Sequence, residues 1–311
     1  MAQWTISAMP SQKGKTAIVT GTGGIGYECA LALAKEKAQV IIAGRNSKKG
    51  AEAVAKIKTE VPHADVSFEI IDLADLQSVK HFAQRLQREQ ERVDLLINNA
   101  AIMNPPTRMQ SQDGLELQFA TNYLSHFALT GLLLPLLRKA EEPRIVTVSS
   151  IASRQGKIDF GDLQSKVDYV PMKAYSQSKL ACLMFALELE RKSNEHGWGI
   201  TSIGAHPGVC RTELLHNAPG KLSPQGIFRS LFWFMFQPAA QGALPVLYAA
   251  TASNARPGGY YGPGGIAELN GYPVPAKIPV DALNASTAAK LWEESERLTG
   301  GVFAAQMMPN A

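Results

Sequence analysis

The sequence predicts a single doubly wound α/β domain with a parallel, Rossmann-like sheet, and three observations carry that prediction. Short apolar runs alternate with segments of helical period from Thr16 to Ala205. A glycine-rich turn, Thr20-Gly-Thr-Gly-Gly-Ile-Gly26, lies directly between the first apolar run and the first helical segment. No linker and no internal repeat interrupts the alternation.

Thr16 to Thr20 (TAIVT) is short, apolar and stopped by glycine, so it reads as a buried parallel strand. Ile25 to Lys37 has apolar residues at helical spacing, and Gln39 to Ala43 (QVIIA) reads as a second strand. Ser47 to Val61, rich in Ala, Lys and Glu, is a helix; Val66 to Ile71 is a strand, Asp75 to Gln90 a helix and Val93 to Ile97 a strand. One long apolar helix is expected over Leu115 to Arg138. Arg144 to Ser149 is a fifth strand, Tyr175 to His196 a helix and Ile200 to Ala205 a sixth strand. Strands alternating with helices put helices on both faces of the sheet, with right-handed crossovers. After Pro207 the pattern changes: a Pro/Gly-containing stretch with the apolar run Ile227 to Phe236, a helix over Ala239 to Ala252, a turn-rich segment from Pro257 to Gly265 holding a short last strand, and a helix over Thr287 to Leu298. Residues 1–13 form an N-terminal arm and about 210–240 a substrate lid.

Composition narrows the function. The chain has 311 residues, 45% of them hydrophobic and 19% charged, with a formal net charge of +4, an ordinary globular balance. No Lys/Arg run is dense enough for a nucleic-acid stripe. Cys29, Cys182 and Cys210 are scattered and odd in number, which suits reduced thiols in a cytoplasmic protein rather than a disulfide frame or a metal site. Met1 to Lys13 lacks the apolar core of a secretory signal, and no apolar run reaches membrane-spanning length.

The glycine turn carries the first chemistry. Gly21, Gly23 and Gly26 fit G-x-G-x-x-G, and with Gly24 and Ile25 they let backbone N–H groups approach a pyrophosphate at a helix N-terminus. The acidic residue that would bind a ribose 2′-hydroxyl about 20 positions on is missing. Arg45, followed by Asn46, stands at the end of the second strand instead, and a guanidinium suits a 2′-phosphate. NADP(H) is therefore expected over NAD(H), with a solvated loop arginine as the bland alternative. Asp72-Leu73 ends the third strand; its carboxylate either accepts from an adenine amino group or caps the helix that follows.

Tyr175 and Lys179 lie four apart on one predicted helix face. An ammonium beside a phenol, aided by an oxidised nicotinamide, is expected to pull the phenol below its usual value near 10, making an acid–base usable at neutral pH. Ser150, ending the fifth strand, can donate to a substrate oxygen, while Ser149 reads as structural. Asn122, a poor residue for a helix interior, suggests a water or backbone role.

These residues together resemble the short-chain dehydrogenase/reductase family. The likeness runs from Thr20 to Thr212 through the glycine turn, Asp72-Leu73, Asn98-Asn-Ala-Ala101, Thr121 to His126, Ile145 to Ser150, Tyr175-x-x-x-Lys179 and His206-Pro-Gly-Val209. It implies Tyr175 as proton donor and acceptor, Lys179 on the nicotinamide ribose, Ser150 orienting the carbonyl or alcohol, and Asn122 holding a water in a proton relay. Asn99 and Ala100 would line the cofactor, and Pro207, Gly208, Val209 and Thr212 would meet its nicotinamide end. The roughly 25-residue gap from serine to tyrosine, and the segment Leu291 to Leu298, are similar to the retinol dehydrogenase and protochlorophyllide-reductase-like branch. The glycine turn is one residue shorter than the family's usual form, and Ala101 replaces its usual glycine.

The reading is a metal-free, NADP(H)-dependent oxidoreductase that interconverts a ketone or aldehyde and an alcohol. The other class is a non-catalytic dinucleotide-binding regulator or scaffold. The aromatic run over 227–236 reads as a lid over a hydrophobic substrate, as dimer or core packing, or as a membrane-surface segment. The resemblance makes a homodimer or homotetramer an expectation by analogy.

Overall fold

A computed structural model of the chain describes residues 3–210 and 237–307. The strands are β1 (Thr16–Thr20), β2 (Gln39–Gly44), β3 (Val66–Ile70), β4 (Leu95–Asn98), β5 (Arg144–Val148), β6 (Thr201–Ala205), β7 (Tyr260–Pro263) and β8 (Pro273–Pro275). They form one sheet in the order β3-β2-β1-β4-β5-β6-β7-β8. Every pairing through β7 is parallel, and β8 joins antiparallel. All residues of β1 and β4 are buried, which is why those strands read as continuous apolar runs rather than alternating ones. The chain runs from β1 outward to β3, then returns to lay β4 on the other side of β1. That reversal opens a crevice at the C-terminal ends of β1 and β4, where ligands of such sheets bind.

The helices are α1 (Gly24–Lys35), α2 (Ser47–Glu60), α3 (Leu76–Glu89), α4 (Ser125–Leu137), α5 (Pro171–His196), α6 (Ala239–Thr251) and α7 (Ala285–Thr299). Side chains of α1, α2 and α6 fill the core on one face of the sheet, and those of α3, α4, α5 and α7 fill the other. Phe127 of α4 centres the second core, its ring 5.0 Å from both Trp292 of α7 and Phe303. Asn46, Asp75 and Asn284 cap α2, α3 and α7 by accepting backbone N–H groups. The N-terminal arm is packed down, with Met9 buried and the Trp4 ring 5.5 Å from Tyr248 of α6.

Four expectations change. The single helix over Leu115 to Arg138 is instead a short turn, Leu117–Phe119, then a π-helical turn, Ala120–Leu124, then α4. A π turn inserts one residue into the ladder, and Asn122 is at its centre. The helix expected from Tyr175 starts earlier, at Pro171, because proline is well placed in a first helical turn. The strand expected from Val93 begins at Leu95. The expected last strand is followed by a further one, β8, so the sheet is not wholly parallel. The proposed lid lies largely outside the described residues, as do Thr212 and the run over 227–236.

Candidate active site

The glycine turn wraps the start of α1. Gly21 (φ 101°) and Gly24 (φ 53°) occupy the left-handed region, which their neighbours' side chains would resist. A methyl on Gly26 would sit 2.5 Å from the Gly21 carbonyl oxygen, so strand and helix close together only on glycine here. Gly23 caps α1 without a side-chain hydrogen bond, and the first turn holds no acid. The helix N-terminus thus presents unspent N–H groups and its partial positive charge to the crevice.

The crevice has a volume of about 540 Å³. It is lined by the glycine turn, by Arg45, Asn46 and Lys49, by Asp72 and Leu73, and by Asn99 to Ala101. Ile102, Met103 and Thr121 close the far end. Lys49, one turn beyond Arg45, and the closing residues are not among the sequence-predicted set; the Lys48-Lys49 pair next to Arg45 was the available signal. Asn46 spends its side chain on Lys49 N–H at 3.0 Å. Asp72 is not the cap of α3, because Asp75 takes that place; the Asp72 carboxylate accepts from Ala74 N–H at 2.9 Å and faces the crevice.

Thr20 joins β1 to the β4 end. Its hydroxyl accepts from Asn99 N–H (2.9 Å) and Ala100 N–H (3.0 Å) and lies 2.9 Å from His126 Nε2. Asn99 returns a bond from Nδ2 to Thr20 O at 2.7 Å, so it braces the glycine turn. His126 places Nδ1 3.0 Å from the Asn122 carbonyl oxygen. Burial pushes His126 down to about 4, with the Asn122 bond opposing, so the ring is neutral at pH 7. In the sequence His126 is only part of the Thr121–His126 motif; its bracing role depends on the π turn, which no sequence period marks.

Asn122 is buried and fully engaged. Its Oδ1 accepts from Ile102 N–H (2.8 Å), and its Nδ2 donates to Ile102 O and to Ser178 Oγ (both 3.0 Å). Its carbonyl also accepts from the Cys182 thiol at 3.1 Å. Asn122 therefore staples the crevice wall to α5 on the turn of helix that carries the Tyr175–Lys179 pair.

Tyr175, Ser150 and Lys179 come together where β5 meets α5. The Ser150 hydroxyl stands near enough to the Tyr175 hydroxyl to favour its ionised form, and it accepts from Ala152 N–H at 3.2 Å. Lys179 is buried and donates from Nζ to Val148 O at 2.9 Å. Ser149 has a structural part, donating to Lys179 O at 2.7 Å. The expected lowering of Tyr175 is reversed in the protein alone: burial pushes its hydroxyl up to about 12, and the neighbouring Ser150 side chain offsets only part of that. Burial likewise holds the Lys179 ammonium below its usual value.

Pro207, Gly208 and Val209 follow β6 on the same edge of the sheet. Gly208 (φ 67°) is left-handed, and Val209 N–H donates to Leu269 O at 2.9 Å. Cys210 is buried, its thiol pushed up to about 11 by burial, so it is not a nucleophile at neutral pH. Among the described residues, no cluster of three or more His, Cys, Asp or Glu could hold a metal. No helix of the described residues is long and apolar enough to cross a membrane.

A doubly wound sheet, a glycine cradle at its switch point and a serine set against a buried tyrosine and lysine define a dinucleotide-binding oxidoreductase of the Rossmann-like class. A family model described as short chain dehydrogenase matches residues 15–222, and the chain belongs to that family. Within it the chain falls in the retinol dehydrogenase-like branch. It is 40% identical to retinol dehydrogenase 13 of Mus musculus, covering 92% of this chain and 84% of the relative. It is 38% identical to polyprenol dehydrogenase of Danio rerio, covering 94% and 89%. A crystal structure of an uncharacterized protein from Mycobacterium paratuberculosis matches with a TM-score of 0.80 at 36% identity, over 96% of this chain and 98% of that one. A short chain dehydrogenase from Shigella flexneri 2a, solved in complex with NADP, matches with a TM-score of 0.63 at 25% identity, over 81% and 98%.

Proposed function

We propose that the protein is an NADP(H)-dependent oxidoreductase interconverting a hydrophobic ketone or aldehyde and its alcohol, with Tyr175 as acid and base. The observation that carries this is the grouping of half-buried Ser150 with buried Tyr175 and Lys179, joined through Asn122 to the wall of a crevice lined by the glycine turn.

The residues present fit such a cofactor. The α1 N-terminus and the glycine turn receive a pyrophosphate, Asp72 faces the crevice where an adenine amino group can donate, and Arg45 and Lys49 bring positive charge to the ribose-phosphate end. When bound, the reduced nicotinamide supplies the hydride. Tyr175 passes its hydroxyl proton to the substrate oxygen as the carbonyl carbon becomes an alcohol carbon. Ser150 donates a hydrogen bond to the same oxygen. Lys179, anchored by Val148 O, holds its ammonium where it favours the phenolate left behind. Asn122, whose polar groups are all engaged, fixes the crevice wall against α5 and does not hold the relay water that the family resemblance implies. In the oxidative direction the Tyr175 phenolate takes the proton that the alcohol gives up.

Two named relatives, a retinol and a polyprenol dehydrogenase, support a long apolar alcohol as the substrate class. Three unpaired, buried cysteines fit a reducing, cytoplasmic setting. The test is a fluorescence titration with NADPH followed by a panel of apolar aldehydes and ketones. Tyr175→Phe is expected to lower turnover by roughly 10²–10⁴-fold while leaving NADPH affinity nearly unchanged. NADPH binding without turnover of any carbonyl would favour the scaffold reading, and unchanged turnover in the variant would remove Tyr175 from the chemistry.

A further inference from the structure

Arg154, Glu268 and His206 form a charged cluster that the proton path above does not use. His206 is fully buried at the end of β6, and its Nε2 lies 2.8 Å from Glu268 Oε2. Gly208 N–H points at Nδ1 from 3.3 Å, which makes Nδ1 the acceptor and leaves the proton on Nε2 to donate to the carboxylate. Burial keeps the ring otherwise neutral. The same carboxylate oxygen takes the Arg154 guanidinium at 2.5 Å, and Oε1 accepts from Lys277 N–H at 3.1 Å.

The turn that carries Glu268 is strained. Ala267 (φ 52°) and Glu268 (φ 59°) are consecutive left-handed residues, and neither is glycine. Such a conformation persists only where the surroundings over-determine it. Packing around it is close: a methyl on Gly208 would meet Leu269 O at 2.4 Å, and one on Gly262 would overlap the His206 ring. The Tyr260 ring lies 5.2 Å from that of His206.

One carboxylate thus joins three segments distant in sequence. Arg154 lies in the turn Ile151–Gln155, which Ser150 opens and caps. His206 begins the Pro207–Val209 segment, and Glu268 belongs to the connection between β7 and β8. We propose that Glu268 is a positioning residue that locks the Ser150 turn and the Pro207–Val209 segment to each other. The inference rests on the proposed function, in which Ser150 meets the substrate oxygen and Pro207–Val209 meets the nicotinamide end. Without Glu268, His206 keeps a buried N–H with no acceptor and Arg154 loses its partner, so both segments loosen together.

Hydrogen exchange of the whole chain tests the coupling without any ligand. In Glu268→Ala, amides of residues 150–155 and of 206–209 are expected to exchange roughly tenfold faster, with β1 and α1 unchanged. Arg154→Met, at a partly exposed position that does not threaten folding, should loosen residues 150–155 while Glu268 still holds His206, and Glu268→Gln, which keeps an acceptor oxygen, should recover most of the protection. In Glu268→Ala, acceleration of only one segment, or of neither, would overturn the proposal. A second readout compares NADPH with adenosine 2′,5′-bisphosphate, which lacks the nicotinamide half. Glu268→Ala should weaken NADPH about tenfold and leave the bisphosphate unchanged; equal weakening of both would mark a merely structural role. A wild-type protein that binds neither ligand would sink the cofactor reading, and the exchange comparison would still decide the coupling.

Discussion

Arg45 stands where β2 ends at the crevice, in the place an acidic residue would occupy if the cofactor lacked a 2′-phosphate. A charge-assisted fork to phosphate is worth about 1.5–3 kcal/mol. Arg45→Ala is therefore expected to weaken NADPH by roughly ten- to hundredfold while changing NADH little, a split that parallel fluorescence titrations would read. Equal loss for both cofactors would mean that Arg45 supports the loop and does not select the phosphate. Tyr175 teaches a different lesson at the same scale. The Tyr-x-x-x-Lys spacing identifies the pair, but spacing says nothing of burial, and burial raises the phenol further than Ser150 lowers it.

At the scale of the elements, strands and helices up to β6 were legible because each buried face repeats at its own period. Three features were not. The π turn at Ala120–Leu124 keeps helical hydrophobicity on both sides, so only Asn122, a polar residue in an apolar run, betrayed it. β8 is three residues long and two of them are proline, a composition that argues against a strand unless it lies at an edge. The Arg154–Glu268–His206 cluster joins segments far apart in sequence, and no local pattern points to such a meeting. What periodicity does predict is the core of α4. Phe127 is wholly buried among Tyr123, Phe185, Trp292 and Phe303. Phe127→Ala is expected to destabilise the fold by about 3–5 kcal/mol in urea unfolding. A loss under about 1 kcal/mol would mean that this face collapses around the gap.

For the whole molecule, acid sensitivity follows from two neutral histidines. His126 and His206 are buried, and burial lowers each from 6.5 to about 4. Folded, they bind a proton more weakly than unfolded. The stability they contribute is full above about 6.5 and is lost as the pH falls through about 4. The cost is on the order of 2 kcal/mol per histidine by pH 5. Urea melts at pH 7.5 and pH 5 should show that fall, and His126→Asn should flatten the slope; a pH-independent midpoint would contradict it.

Pro273 and Pro275 give the sheet a built-in terminator. Proline has no amide hydrogen, so the outward side of β8 has fewer donors with which to recruit a further strand. Two copies of this chain are thus discouraged from zipping into one continuous ribbon across that border.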